Sequence, residues 1–166
     1  TSGSQYARIT ASGPGSGCGA GGLSGIYNEI VIPIPPAATA VSLDYEFYNA
    51  EGYRDPFFND GMSATVLDSG GALLSTLVCA DTFTVTGDGS DLSPCFNTGL
   101  SGIAITPGPE SLVNFPLAPG SVCLRVACWN GGDDNFPSHA VIDNVVFGTF
   151  MPPFAAILGC NPGGNA

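Results

Sequence analysis

The sequence predicts an all-β protein, a two-sheet antiparallel β-sandwich of jelly-roll type. Three observations predict it. Apolar and polar residues alternate over short runs, and no helical period lasts more than a turn. Turn markers recur about every ten residues, the spacing of sandwich strands. Gly (24) and Pro (14) are abundant enough to starve helices. The chain divides into an N-terminal strand and Gly-rich arm (1–28), the sandwich (29–150), and an apolar, then Gly-rich tail (151–166).

Ser4–Thr10 reads as a short strand. Residues 11–25 hold seven Gly and read as a loop or arm with no element of its own. Glu29–Ile34 is a strand whose Pro33 marks an edge or an end. The clearest strand is Ala40–Tyr48, where Val41, Leu43, Tyr45 and Phe47 face a core while Ser42, Asp44 and Glu46 face water. A polar loop, Asn49–Gly61, follows. Met62–Leu67 and Ala72–Val78 pair across Asp68-Ser69-Gly70-Gly71 as a hairpin. Thr82–Thr86 is a short strand and 87–99 a loop.

Ser111–Leu117 is a strand ended by Pro119-Gly120. In Ser121–Trp129, Val122, Leu124, Val126 and Cys128 share one face. A second acidic loop, Asn130–Pro137, leads into Ser138–Phe147. In that last strand Ala140 and Ile142 keep one phase and Val145 and Phe147 the other. The flip falls at Asp143-Asn144 and predicts a β-bulge.

Charge narrows the function. Fourteen acids face three Arg, no Lys and one His, for a net charge of −11. Such a chain neutralises no run of phosphates, which excludes an ordinary nucleic-acid partner. No stretch reaches the length of a membrane span. Six Cys without a C-x-x-C pair point to disulfides and an oxidising compartment. Cys79 and Cys95 bracket a turn-rich segment and are the expected local bridge. Cys123 and Cys128 lie on opposite faces of one strand, about 16 Å apart, and are not expected to bond to each other. The expected location is extracellular or at the cell surface, with any signal peptide already removed.

Two loops and one strand carry the oxygen ligands. The first loop offers Glu51, Asp55, Asn59 and Asp60, the second Asp133, Asp134 and Asn135, and the last strand Asp143. Carboxylates gathered at one end of a sandwich repel unless a cation sits among them, and Ca²⁺ accepts oxygens from irregular loops. Glu51, Asn59, Asp60, Asp133 and Asp143 are therefore the expected calcium ligands. The competing reading makes them solvated turn residues. Tyr53, Phe57, Phe58 and Trp129 lie in or beside the acidic loops. They are either a platform for sugar rings or plugs at the end of the sandwich. His139 beside Ser138 comes without a nucleophile elbow, and no pair among the acids stands out for glycoside hydrolysis, so no enzymatic activity is expected.

The run VSLDYEFYNAEGYRDPFFNDGMSATVLDSGG resembles the strand, acid, "ND", strand and turn signature of secreted bacterial jelly-roll modules. The later run GSVCLRVACWNGGDDNFPSHAVIDNVVF resembles their closing strand. These are the surface "choice-of-anchor" domains, with carbohydrate-binding jelly rolls as more distant relatives. The likeness spans about residues 30–148 and rests on Glu51, Asn59, Asp60, Asp133, Ser138 and Asp143. It implies an extracellular β-sandwich, often calcium-stabilised, used for adhesion, matrix or surface display. Six Cys and the Gly-rich tails depart from that pattern and suggest self-assembly. The expected function is thus a non-enzymatic structural or adhesive extracellular protein. It associates with itself through its tails or sheet edges, as in a surface filament or matrix. The alternative is a carbohydrate-binding module with a glycan as its ligand.

Overall fold

A computed structural model describes residues 6–17, 23–49, 59–82, 103–104, 110–132 and 138–152. Its strands are β1 (Ala7–Thr10), β2 (Gly15–Ser16), β3 (Ser24–Gly25), β4 (Asn28–Pro33), β5 (Ala40–Asn49) and β6 (Gly61–Leu67). They continue with β7 (Leu73–Asp81), β8 (Ile103–Ala104), β9 (Glu110–Pro116), β10 (Cys123–Trp129) and β11 (His139–Gly148). The described residues contain no helix.

Two antiparallel sheets carry the long strands. The first runs β1-β11-β5, with β8 and β9 pairing successive stretches of the far side of β5, and the second runs β4-β10-β6-β7. The pairing is nested along the chain. β1 pairs with β11, β4 with β10, β5 with β9, and β6 with its hairpin partner β7. The β5–β11 and β6–β10 ladders then join the nested pairs side by side. One apolar cluster draws on both sheets. Ile9, Val41, Leu43, Phe47, Ala140 and Ile142 come from the first, and Met62, Ala64, Val66, Val78, Leu124 and Val126 from the second.

The local chemistry explains the joints. In the β6–β7 hairpin, Asp68 Oδ1 accepts from the N–H groups of Gly70 and Ala72, both at 2.8 Å, which closes the turn. Pro33 ends the edge strand β4, where its missing N–H costs no ladder bond. The phase flip in β11 is a register shift between Asp143 and Val146, and Asn144 takes the left-handed conformation there (φ 50°).

Four expectations are corrected. The Gly-rich arm is not featureless, since Gly15–Ser16 and Ser24–Gly25 form a small antiparallel ladder. Glu46, expected in water, is fully enclosed and accepts a 2.8 Å hydrogen bond from the Tyr48 hydroxyl. The reason lies in tertiary packing: Tyr48 and Val141 form a second apolar cluster with Tyr6 on that face of the sheet. Val122, expected inside, precedes β10 and is 41% exposed. Cysteine usage is mixed: Cys79 is disulfide-bonded, whereas Cys123 and Cys128 are thiols. Five residues apart on β10, the two thiols sit on opposite faces, with Cys128 in the core and Cys123 on the outer side. Cys95 and most of the expected Thr82–Thr86 strand lie outside the described residues.

Candidate functional site

The polar residues converge where β6 begins, β10 ends and β11 begins. Asp60 immediately precedes β6 and is buried. Its Oδ1 accepts from the Gly131 N–H at 2.7 Å, and its Oδ2 accepts from the Ser138 hydroxyl. Its carbonyl accepts from the Thr82 N–H at 2.9 Å and from the Thr82 hydroxyl at 3.2 Å. Asp60 therefore ties the start of β6 to the residue after β7, to the loop beyond β10 and to the start of β11. Asn130 adds a second tie, because its Oδ1 accepts from the Ser138 N–H at 3.1 Å. Hydrogen bonds to a buried carboxylate are worth about 1.5–3 kcal/mol each, so this cluster is a staple holding the ends of several strands.

Close backbone approach makes the staple fit. A Cβ on Gly131 would lie 2.1 Å from the Asn59 nitrogen, so only glycine lets these two loops touch. Trp129 is buried against the cross-strand position Gly61 and against Gly17 of the arm. Added Cβ atoms there would come within 2.4 and 2.5 Å of its ring. The indole N–H donates to the Asn59 carbonyl at 3.1 Å. Gly15 and Gly17 of the arm thus let its backbone run close against Trp129.

The expected site residues separate. Asn59 and Asp60 lie in this cluster, together with Asp81, whose Oδ2 accepts from Asn59 Nδ2 at 3.2 Å. Asp143 does not join them. It lies five residues beyond Ser138 on β11, about 16 Å along the strand. There its Cα partner is Asp44 of β5, and its Oδ1 accepts from the Asn144 N–H at 2.7 Å. The alternation of β11 puts Asp143 on the outer face of the first sheet, away from the sheet ends, and the sequence reading joined the two places in error. Trp129, at 1% exposure, offers no ring to a sugar, and this corrects its placing as a platform. Glu51, Tyr53, Phe57, Phe58 and Asp133 lie outside the described residues.

Sequence reasoning missed the acceptor role of Asp60 toward Ser138 and the part played by Asp81 and Asn130. Their signal was faint, because each is a single polar residue at the end of a strand. His139 stands apart from Ser138 chemically. Its Nδ1 lies 3.0 Å from Thr10 Oγ1 on the neighbouring strand, and burial, then the charge of Arg8, lowers its pKa. Burial, helped by the Asp60 charge, pushes the Cys128 thiol far up, so it stays protonated in the core. Among the described residues no three His, Cys, Asp or Glu side chains gather as a metal cluster, and no helix is long and apolar enough to cross a membrane. Comparisons with family models, curated proteins and solved structures returned no match.

Proposed function

We propose that the chain is a secreted, non-enzymatic β-sandwich of jelly-roll type that serves as a structural or adhesive unit and associates with copies of itself. The nested strand pairs support the jelly-roll reading. A long hairpin pairing first strand with last, rolled up so that its halves face each other, generates this order of strands in two sheets sharing a core. The extracellular reading draws on the Cys79 disulfide.

The observation that carries self-association is the state of the sheet edges. Among the described residues β4 and β7 are the edges of the second sheet, and Val31 (50%), Leu73 (45%) and Leu74 (36%) stand exposed on them. Soluble proteins usually blunt such edges with Lys, and this chain has none. Sedimentation velocity on the intact chain, with calcium, tests the reading. Its sedimentation coefficient is expected to rise with concentration, and a monomer across the whole range overturns the proposal.

Calcium belongs to the same proposal in narrower form. Asn59 Oδ1 is buried without a hydrogen-bond partner among the described residues, and the Asn59 amide lies beside the Asp81 carboxylate. An unsatisfied oxygen next to an acid fits a hard cation, which takes roughly six to eight oxygens. Asn59 and Asp81 would hold the ion, with Asp60 behind them engaged by Gly131 and Ser138. Asp143 has no part in it.

A further inference from the structure

One end of the sandwich is almost free of charge. The registers align Pro33, Cys123, Leu67 and Leu73 in a row across the second sheet, and Gly148, Ala40 and Pro116 in a row across the first. Residues 34–39 and 117–122 cross between the two rows, 68–72 turn within the second sheet, and 149–152 follow β11. These strand ends and connections form a pole opposite the Asp60 cluster. Residues 30–43, 111–124 and 144–152 contain no charged side chain, and 61–80 contain one, Asp68. Among the described residues the next acids back from the pole are Glu29 and Asp44. Each stands four residues from the end of its strand, about 13 Å away.

The pole is also apolar and preformed. Leu73, Leu74, Val122 and Met151 stand exposed on it. So do six prolines: Pro33, Pro35, Pro36, Pro116, Pro119 and Pro152. A proline has no N–H to strip of water and little backbone freedom to lose, so covering this surface costs less than covering an ordinary loop. Hydrogen bonds stitch the connections together. The Thr39 N–H donates to the Gly148 carbonyl at 2.8 Å and the Leu117 N–H to the Thr39 carbonyl at 2.9 Å. On the other sheet the Ile34 N–H donates to the Val122 carbonyl and the Val122 N–H to the Leu67 carbonyl, both at 2.9 Å.

We propose that this pole docks on the same pole of a second copy, giving a two-fold dimer joined end to end. The inference rests on the self-association proposed above and names its site. Charge selects the occupant. Two copies of net charge −11 repel wherever acids face acids. Pole-to-pole contact keeps Glu29 and Asp44 of one copy about 26 Å from those of the other. That is about three times the screening length of physiological salt, roughly 8 Å. A basic partner, by contrast, would find only Asp68 to pair with. Asp68 is the one mismatch in a contact between copies. Its Oδ1 accepts from the Gly70 and Ala72 N–H groups, which an asparagine oxygen does as well.

The test follows four chains by sedimentation velocity and thermal melting: the intact protein, Ala37→Glu, Asp68→Asn and Thr76→Lys. Ala37 is exposed in a polar turn, and Thr76 is exposed on β7 away from the pole, so these changes leave the core intact. A two-fold contact holds every substitution twice. Ala37→Glu is therefore expected to weaken the dimer at least about tenfold, and Asp68→Asn to tighten it, with Thr76→Lys unchanged. A chain ending at Pro152 and vesicles of phosphatidylcholine complete the set. If Thr76→Lys abolishes association while Ala37→Glu and Asp68→Asn match the intact chain, copies meet along the sheet edge. The pole is then wrong and self-association stands. If the intact chain is monomeric and the chain ending at Pro152 dimerises, the terminal segment of the same copy covers the pole, which overturns the inference. If the intact chain is monomeric but binds the vesicles, and Ala37→Glu does not, lipid is the partner and the second copy is excluded. If no chain associates, the inference and the proposed self-association fall together.

Discussion

Asp60 shows how a single carboxylate organises a strand junction. It receives the Gly131 N–H and the Ser138 hydroxyl at a buried position. Ser138→Ala removes one donor and leaves the charge in place, so it is expected to cost about 2 kcal/mol, read from the urea midpoint. His139 gives the pH-dependent counterpart. Its folded pKa lies below the unfolded value, so the folded state binds the proton more weakly. Its contribution is therefore full above the unfolded pKa, about 6.5, and lost as pH falls through the lower folded value. Chemical denaturation is expected to show stability declining below about pH 6.5, with a shallower decline in His139→Gln over the range above carboxylate titration. At this scale the sequence was partly legible. The importance of Asp60 could be read from its place before a strand, but whether an oxygen meets a cation or an N–H depends on which loop arrives. Gly131 meets Asn59 through contacts between segments far apart in the chain.

The strands themselves were the most legible part, because alternation is set locally. The β11 bulge was readable from its phase flip, and the hairpin from Asp68 to Gly71. Just before the bulge like charges face each other, since Asp44 and Asp143 are direct cross-strand partners. Neutral donors offset this. Ser111 Oγ donates to Asp44 Oδ1 at 2.5 Å and Asn144 Nδ2 to Asp44 Oδ2 at 2.6 Å. Asn144→Ala loses that amide and strains the left-handed backbone, for an expected cost of about 2 kcal/mol. Asn144→Gly loses only the amide and is expected to cost about half as much, as equilibrium unfolding of the pair checks. What alternation did not reveal was burial on both faces. Every residue of β6 is buried, including Ser63 and Thr65, which face away from the shared core. Small polar side chains in a strand read as wet, and their enclosure depends on packing that no local pattern encodes.

For the molecule as a whole, charge and packing pull against each other. A net charge of −11 on a chain with three basic residues favours expansion, and a divalent cation at the strand ends would counter it. Chelation is expected to lower the melting temperature of the intact protein. Asn59→Ala is expected to abolish that response and Asp143→Ala to leave it unchanged, so one melting series distinguishes the two acidic places. A flat response in all three proteins would show that the oxygens are merely solvated. The all-β class was legible because composition and turn spacing are global properties. The pairing of distant strands was not, since nothing in β1 or β11 alone specifies the other.

That pairing also governs when the protein comes into being. The first strand finds its ladder partner only in β11, far along the sequence, so the outer ladder cannot close until both strands have been made. Until then β5 has its β9 partner on one side but lacks β11 on the other. A nascent chain halted before His139 should be readily digested by protease, and one released after Gly148 should resist it.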